Sequence, residues 1–258
     1  MKIPLLITVI LAGNICCSQA QQPAKPEDTE VWQPVPPKVA PGAATVTTAP
    51  SDAIILFNGK DLSEWVSNKD RTQPAGWVVK DSIITVNKAA GNIETKRLFR
   101  NYQLHIEWRV PANITGEGQA RGNSGLFLAS LGQGDPGYEL QILDSYANST
   151  YVNGMAGSIY KQHPPLANPS RKPGEWQTYD VIWTAPVFKQ DATLQSPANI
   201  TVFFNGILVQ NHQTLEGPTQ YIGKPAYTQA HGAAPIKLQA HGDKSEPISF
   251  RNIWVREL

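Results

Sequence analysis

From residue 53 onward the chain consists of short runs in which apolar and polar residues alternate, broken by Gly, Pro, Asn and Asp. Successive strand side chains point to opposite faces. Over residues 102–110, Leu104, Ile106, Trp108 and Val110 therefore share one side, and Gln103, His105, Glu107 and Arg109 the other. The same arithmetic sets Leu140 and Ile142 against Glu139, Gln141 and Leu143 over 138–144. It sets Ile236, Leu238 and Ala240 against Lys237, Gln239 and His241 over 236–241. Further strands are expected over 76–86, 125–129, 177–184, 199–204, 207–210 and 248–256. Asn205-Gly206 between two apolar runs fits a two-residue type I′ hairpin, because both residue types tolerate positive φ. No stretch has a convincing helical period. About ten strands without intervening helices predict an all-β fold, two antiparallel sheets packed face to face as a jelly-roll sandwich. No internal repeat of fixed period points to a propeller or solenoid.

The first fifty residues have a different texture. Lys2, an apolar run over 3–12 and the small-x-small triplet Ser18-Gln19-Ala20 have the form of an export signal over residues 1–20, with cleavage after Ala20. The expected location is periplasmic or extracellular. A rival reading makes Cys16 or Cys17 a lipid-bearing N-terminus, but Ile15 is a poor small-residue match before Cys16. Residues 21–52 carry Pro34, Pro36, Pro37 and Pro41 and should be extended. A flexible linker and an arm docked on the domain both fit, with Val31 and Trp32 speaking for docking. Residues 53–258 form the domain proper, and no later run reaches the roughly 18 apolar residues of a membrane span.

Composition removes several functions. The 258 residues include 22 Lys and Arg against 21 Asp and Glu, scattered rather than clustered, which leaves no basic surface for nucleic acid. Cys16 and Cys17 are the only cysteines, so the exported chain has no thiol for a disulfide, a Cys-ligated metal or a Cys nucleophile. The 132–137 segment is Gly-rich, but no strand-to-helix context follows it, so it is not a phosphate loop.

The candidate chemistry lies on the polar strand faces and in the loops. Glu139 and Gln141 alternate on one strand and project together away from the core, a carboxylate and an amide side by side for binding a polar ligand or, with a histidine, a metal. His163 sits in the loop Tyr160-Lys161-Gln162-His163-Pro164-Pro165 and His241 ends a strand, and imidazole titrates near neutral pH. Arg109, Lys161 and Lys237 are cations able to stabilise developing negative charge on an oxygen. Asn123 and Ser124 offer hydrogen bonds from a Gly-flanked turn, and Trp176 and Tyr160 offer flat faces to a sugar ring. No local spacing marks a zinc site, although Glu139 with His241 or His163 remains a metal set assembled from separate strands.

Several strings then carry a resemblance. Leu56-Phe57-Asn58-Gly59-Lys60-Asp61-Leu62 with Trp65, Gly122-Asn123-Ser124-Gly125-Leu126-Phe127 and Gly137-Tyr138-Glu139-Leu140-Gln141-Ile142-Leu143-Asp144 are three of them. Gly157-Ser158-Ile159-Tyr160, Lys172-Pro173-Gly174-Glu175-Trp176, and Leu238-Gln239-Ala240-His241-Gly242 through Phe250-Arg251-Asn252-Ile253 follow in order. Together, over residues 54–258, the sequence resembles the 3-keto-disaccharide hydrolase family. Ala129 stands where many relatives carry Arg, and Gln177 where the usual motif has Asn.

The resemblance implies a concanavalin-like jelly roll acting on a glycoside whose C3 hydroxyl a separate enzyme has already oxidised to a ketone. The proton on C2 is then acidic and C1 bears the leaving group, so elimination followed by addition of water gives net hydrolysis. Glu139, His163 and His241 are the expected proton-transfer set, with Arg109, Asn123, Gln141, Lys161 and Gln239 as substrate contacts. No organic cofactor is expected, and a divalent metal is left open. A carbohydrate-binding module without catalysis, a conventional glycosidase and an envelope structural protein are the alternatives.

Overall fold

The computed structural model describes residues 24–43 and 48–258, so the segment expected to be an export signal, with its two cysteines, lies outside the described residues. Fifteen strands follow in order. They are β1 (Ile54–Phe57), β2 (Trp65–Ser67), β3 (Val78–Lys80), β4 (Ile83–Thr85), β5 (Ile93–Thr95), β6 (Tyr102–Arg109), β7 (Ser124–Ser130) and β8 (Gly137–Ile142). They continue with β9 (Gln177–Thr184), β10 (Val187–Phe188), β11 (Leu194–Ser196), β12 (Asn199–Phe204), β13 (Ile207–Thr214), β14 (Lys237–Leu238) and β15 (Ser249–Glu257). Among the described residues the only helical pieces are four short 3₁₀ turns.

The strands form two antiparallel sheets. The larger runs β13-β12-β9-β6-β15-β4-β3 with β1 also paired to β15, and the smaller runs β2-β5-β14-β7-β8. β10 and β11 make a separate ribbon. This is the two-sheet sandwich predicted. Alternation holds as expected on β6, β8, β9 and β12. Leu104, Ile106, Trp108, Leu140, Ile142, Tyr179, Val181, Trp183, Ile200, Val202 and Phe204 all enter one continuous core. Asn205 and Gly206 take φ 51° and 80° at the β12–β13 turn, both positive as a type I′ hairpin requires.

Two expectations shift in detail. The single strand expected over 76–86 is a hairpin of β3 and β4, because Asp81 and Ser82 take φ 52° and 60° and reverse the chain. The strand expected over 236–241 narrows to Lys237–Leu238, although the Gln239 amide still donates to the Gly125 carbonyl.

Of the two readings of residues 21–52, the described part is docked. Val152 donates to the Val31 carbonyl at 2.6 Å, Asn168 bridges Lys38 in parallel register, and Arg171 Nη2 donates to the Gly42 carbonyl at 2.7 Å. Trp32 lies edge-on to Tyr151 at 6.1 Å.

Two tyrosines cross the core and tie the sheets together. Tyr102 on β6 donates its hydroxyl to the Leu128 carbonyl, and Tyr179 on β9 donates to the Gln141 carbonyl, both at 2.7 Å. Both rings are fully buried. Each hydroxyl bonds a carbonyl of β7 or β8 across the core, the Gln141 carbonyl also accepting the Gly157 amide at 3.1 Å. Tyr179→Phe is expected to destabilise the fold by about 1 kcal/mol, since it removes a buried hydrogen bond between the sheets while keeping the ring. A lower urea midpoint with unchanged slope checks this, and an unchanged midpoint contradicts it.

Candidate active site

The core of the sandwich consumes the apolar alternation of β7, β8 and β14, so their polar residues emerge on the far, concave face of the smaller sheet. Strand register lines these up. Glu94, Lys237, Phe127 and Glu139 are successive cross-strand partners over β5, β14, β7 and β8. On the neighbouring rung Gly125 faces Gln141 and receives the Gln239 backbone bond. Gly125 is there for space. A Cβ at that position would come within 2.5 Å of Glu139 Oε1, so the missing side chain is what lets the carboxyl lie across the strand.

A pocket of about 330 Å³ opens over these rungs, within the size range of small-molecule sites. Glu139, Gln141, Asn123, Gln239 and His241 line its floor and one side, and Asp135, Thr219, Tyr160 and Tyr221 close it from loops. The backbone of Glu139 is saturated, its amide donating to Thr219 Oγ1 at 3.0 Å and its carbonyl accepting from Tyr160 at 3.1 Å. Among the described residues its carboxyl has no hydrogen-bond partner. Burial pushes that group up to about 8, with the nearby Asp135 carboxylate adding to the rise and Lys237 opposing it. Lys237 cannot do more. Its ammonium donates to the Gly134 and Pro136 carbonyls at 2.8 and 2.9 Å and lies over the Phe127 ring at 4.1 Å. Burial brings its pKa down to about 8.

His241 is oriented from behind. Its Nδ1 lies 2.7 Å from Asp243 Oδ2 and 3.3 Å from the Asp243 amide, and the carboxylate favours the tautomer that carries the proton on Nδ1 and makes Nε2 the acceptor. Asn123 Nδ2 approaches Nε2 at 3.5 Å. Asp243 is itself anchored by the Lys88 ammonium at 3.1 Å, the Ser245 amide at 2.7 Å and the Ser245 hydroxyl. Burial opposes ionisation of Asp243, but the bonds from Ser245, His241 and Lys88 prevail and hold its carboxyl below the usual range.

Two amide oxygens remain unmatched. Gln141 Nε2 donates to Gln119 Oε1 at 3.0 Å and reaches Asn123 Oδ1 at 3.4 Å, while Gln141 Oε1 and Gln239 Oε1 are buried without a partner among the described residues. A buried acceptor without a donor is costly, and a ligand hydroxyl is a fitting partner. Tyr160 adds a flat wall, its hydroxyl 2.6 Å from that of Tyr151.

The structure thus brings Glu139, His241, Asn123, Gln141 and Gln239 into one pocket and separates three other candidates from it. Arg109 belongs to the outward face of the larger sheet, across the whole sandwich, where it and Arg251 hold their guanidiniums 4.5 and 4.1 Å from the Trp176 ring. That pairing also removes Trp176 as a sugar platform in this pocket. His163 is turned away because Ile159 and His163 exchange backbone bonds and close a tight turn, and burial lowers its pKa. Lys161 is buried with its ammonium bonded to the Pro26 and Tyr221 carbonyls, so it stands behind the pocket wall. Ser124 donates to the Gln239 carbonyl at 2.7 Å and serves the backbone. Ala129 lies in the core, and Gln177 joins Arg171 to Asn205 on the larger sheet, so neither departure from the family pattern touches the pocket. Among the described residues no group of three His, Cys, Asp or Glu side chains is arranged to hold a metal ion, so Glu139 with His241 or His163 makes no three-ligand set of that kind.

Asp243, Asp135, Thr219 and Tyr221 escaped the sequence reading. A carboxylate two residues after His241 was a usable signal for the first, whereas the others arrive on loops whose path no periodicity reveals.

Glu139 also has a consequence for stability. With its folded pKa above that of the unfolded chain, the native state holds the extra proton between about pH 4.5 and 8, so this residue's contribution is intact below that window and is lost as pH rises through it. Glu139→Gln is therefore expected to be more stable than the parent at pH 8.5 and equally stable near pH 4. Denaturant titrations at the two pH values check this, and a parallel offset at both contradicts it.

Comparison with known proteins gives the family and the fold. The sequence model described as the 3-keto-alpha-glucoside-1,2-lyase-like domain matches residues 52–256. A crystal structure of a "putative glycosyl hydrolase" from Parabacteroides distasonis is 56% identical, covering 90% of this chain and 96% of that chain with a TM-score of 0.78. Two other structures given that description from the same organism are 20% and 21% identical, each covering 80% of this chain and 94% and 99% of their own, both with a TM-score of 0.57. They support the fold. No curated protein matches. The chain belongs to the 3-keto-alpha-glucoside-1,2-lyase-like family.

Proposed function

We propose that this protein cleaves 3-keto-glycosides by β-elimination, with net hydrolysis when water adds to the product. The observation that carries the reading is the pairing of a carboxyl held near pH 8 with a carboxylate-oriented imidazole in a pocket of single-ring size. His241 Nε2 takes the proton from C2. The C–H electron pair moves to form the C2–C3 enolate, with the negative charge on the C3 oxygen. That charge then returns, the C1–O bond breaks, and C1=C2 forms as the aglycone oxygen departs with the proton supplied by Glu139. The Gln239 side-chain amide lines the same pocket and provides a neutral N–H donor for the enolate oxygen, while the Asn123 amide is spent on the Gln119 carbonyl at 2.8 Å and on His241 Nε2. Gln141 Oε1 and Gln239 Oε1 are acceptors for the remaining sugar hydroxyls. Water adds across C1=C2 to give the free 3-keto sugar.

Each role follows from environment. Burial favours the neutral form of Glu139, which can donate a proton at neutral pH, and Asp243 fixes the imidazole tautomer with its lone pair available. The ketone itself must come from a separate sugar-oxidising activity. An export signal over residues 1–20 would put both steps outside the cytoplasm.

One observation favours a second reading. Asp135 lines the pocket beside Glu139, so two carboxyl groups are present for conventional hydrolysis of an unoxidised glycoside. Parallel assays of a 3-keto-disaccharide and its unoxidised parent separate the two. Cleavage of the keto form alone supports elimination, cleavage of both supports the carboxylate pair, and binding without cleavage of either makes the protein a sugar-binding module.

Glu139→Gln is expected to lower kcat on the keto substrate by about 10²–10⁴-fold, the usual worth of a positioned acid or base. In the parent, activity should fall as pH rises through about 8, because the acid loses its proton there. A pH profile flat between 7 and 9.5, or near-parental turnover in Glu139→Gln, removes the residue from the mechanism.

A further inference from the structure

The docked arm lies outside the matched family domain, yet it is bonded to the wall of the pocket. Lys161 is the junction. Its ammonium donates to the Pro26 carbonyl of the arm at 2.5 Å and to the Tyr221 carbonyl at 3.0 Å, and it lies 4.9 Å from the Tyr221 ring and 5.6 Å from the Tyr151 ring. Among the described residues that bond is the only hydrogen bond to the Tyr221 backbone. The Tyr221 side chain is 62% exposed, so little packing holds this part of the rim. Glu27 and Glu30 bring carboxylates near the same ammonium, matching the arm in charge to its receptor.

A second path runs in parallel. The buried Asn153 clamps the arm with both ends of its amide, Nδ2 donating to the Thr29 carbonyl and Oδ1 accepting from Val31, each at 2.9 Å. Its own carbonyl accepts the Lys161 amide at 2.7 Å and helps hold that residue at φ 58°, a conformation side chains other than glycine seldom adopt. Trp32 meets Tyr151 edge-on, and Tyr151 shares a hydroxyl bond with Tyr160 in the pocket. Both aromatic residues of the wall, Tyr160 and Tyr221, are therefore one or two contacts from the arm.

We propose that residues 26–32 are a positioning element of the sugar pocket, acting through Lys161 to fix Tyr160 and Tyr221 as the wall against which the sugar ring binds. This rests on the reading of the pocket as a sugar site. Lys161 is a positioning residue and does not touch the substrate. The arm adds a piece that the family domain alone does not supply, and it controls affinity while Glu139 and His241 control the chemical step.

The test uses the full chain with Lys161→Met, Lys161→Arg and Trp32→Ala, the last a partly exposed residue whose loss should leave folding intact. On a 3-keto-disaccharide, Lys161→Met and Trp32→Ala are expected to raise KM about tenfold with kcat within about twofold, and Lys161→Arg to recover most of the loss. Amide hydrogen exchange over 217–223 should quicken about tenfold in Lys161→Met, reporting local opening without reference to activity. Unchanged KM and unchanged exchange overturn the proposal, as does a fall in kcat at constant KM. If the parent protein cleaves no keto-glycoside, the functional reading fails by itself and exchange still decides: acceleration over 217–223 supports the brace, and its absence overturns it.

Discussion

Placing the Glu139 carboxyl beneath the surface with no hydrogen bond to its oxygens among the described residues is the constraint on which the rest of this molecule turns. A carboxylate there would forgo hydration without compensation, so the group keeps its proton to about pH 8. The surroundings are arranged to leave that condition uncorrected. Gly125 clears the room the carboxyl occupies, and Lys237, two strands away on the same rung, has its ammonium committed to the hairpin carbonyls of Gly134 and Pro136. Asp135 adds negative charge on the open side. A cation free to reach Glu139 would have made an ion pair and abolished a proton donor.

Such an arrangement persists only on a rigid base. β8 carries Glu139 and Gln141 outward while Tyr138, Leu140 and Ile142 are locked in the core, and the Tyr179 hydroxyl holds the Gln141 carbonyl from the opposite sheet. The complementary group is held differently. His241 follows the short strand β14 and owes its orientation to Asp243, which Ser245 and Lys88 fix in turn. One half of the site is thus set by sheet packing and the other by a chain of hydrogen bonds. Of the aromatic wall, Tyr160 is tied to β8 through its amide bond to the Glu139 carbonyl, whereas Tyr221 depends on Lys161 and through it on the arm.

What the sequence disclosed follows the same division. Period-two alternation identified the strands that build the floor and the face on which Glu139, Gln141 and Gln239 emerge, because a strand leaves a side chain only two directions to point. It could not say to which sheet a strand belongs, and so Arg109, with the same alternation, lies on the opposite side of the sandwich. His163 shows the corresponding limit in loops: a residue within a plausible catalytic string was turned away by the exchange of backbone bonds between Ile159 and His163. Lys161 proved important through its bonds to two carbonyls far apart in sequence, a relation that no local spacing encodes. The docked course of residues 24–43 was likewise foreshadowed only by the presence of Val31 and Trp32.

The central claim is that the glycosidic bond breaks only after a proton has left C2, and the most direct measurement is turnover of a 3-keto-disaccharide in deuterated water with the released keto sugar read by mass and NMR. Elimination and rehydration predict deuterium at C2 of the product in step with turnover, while unreacted substrate stays unlabelled. Cleavage that leaves protium at C2 would contradict the account and point to direct displacement at C1.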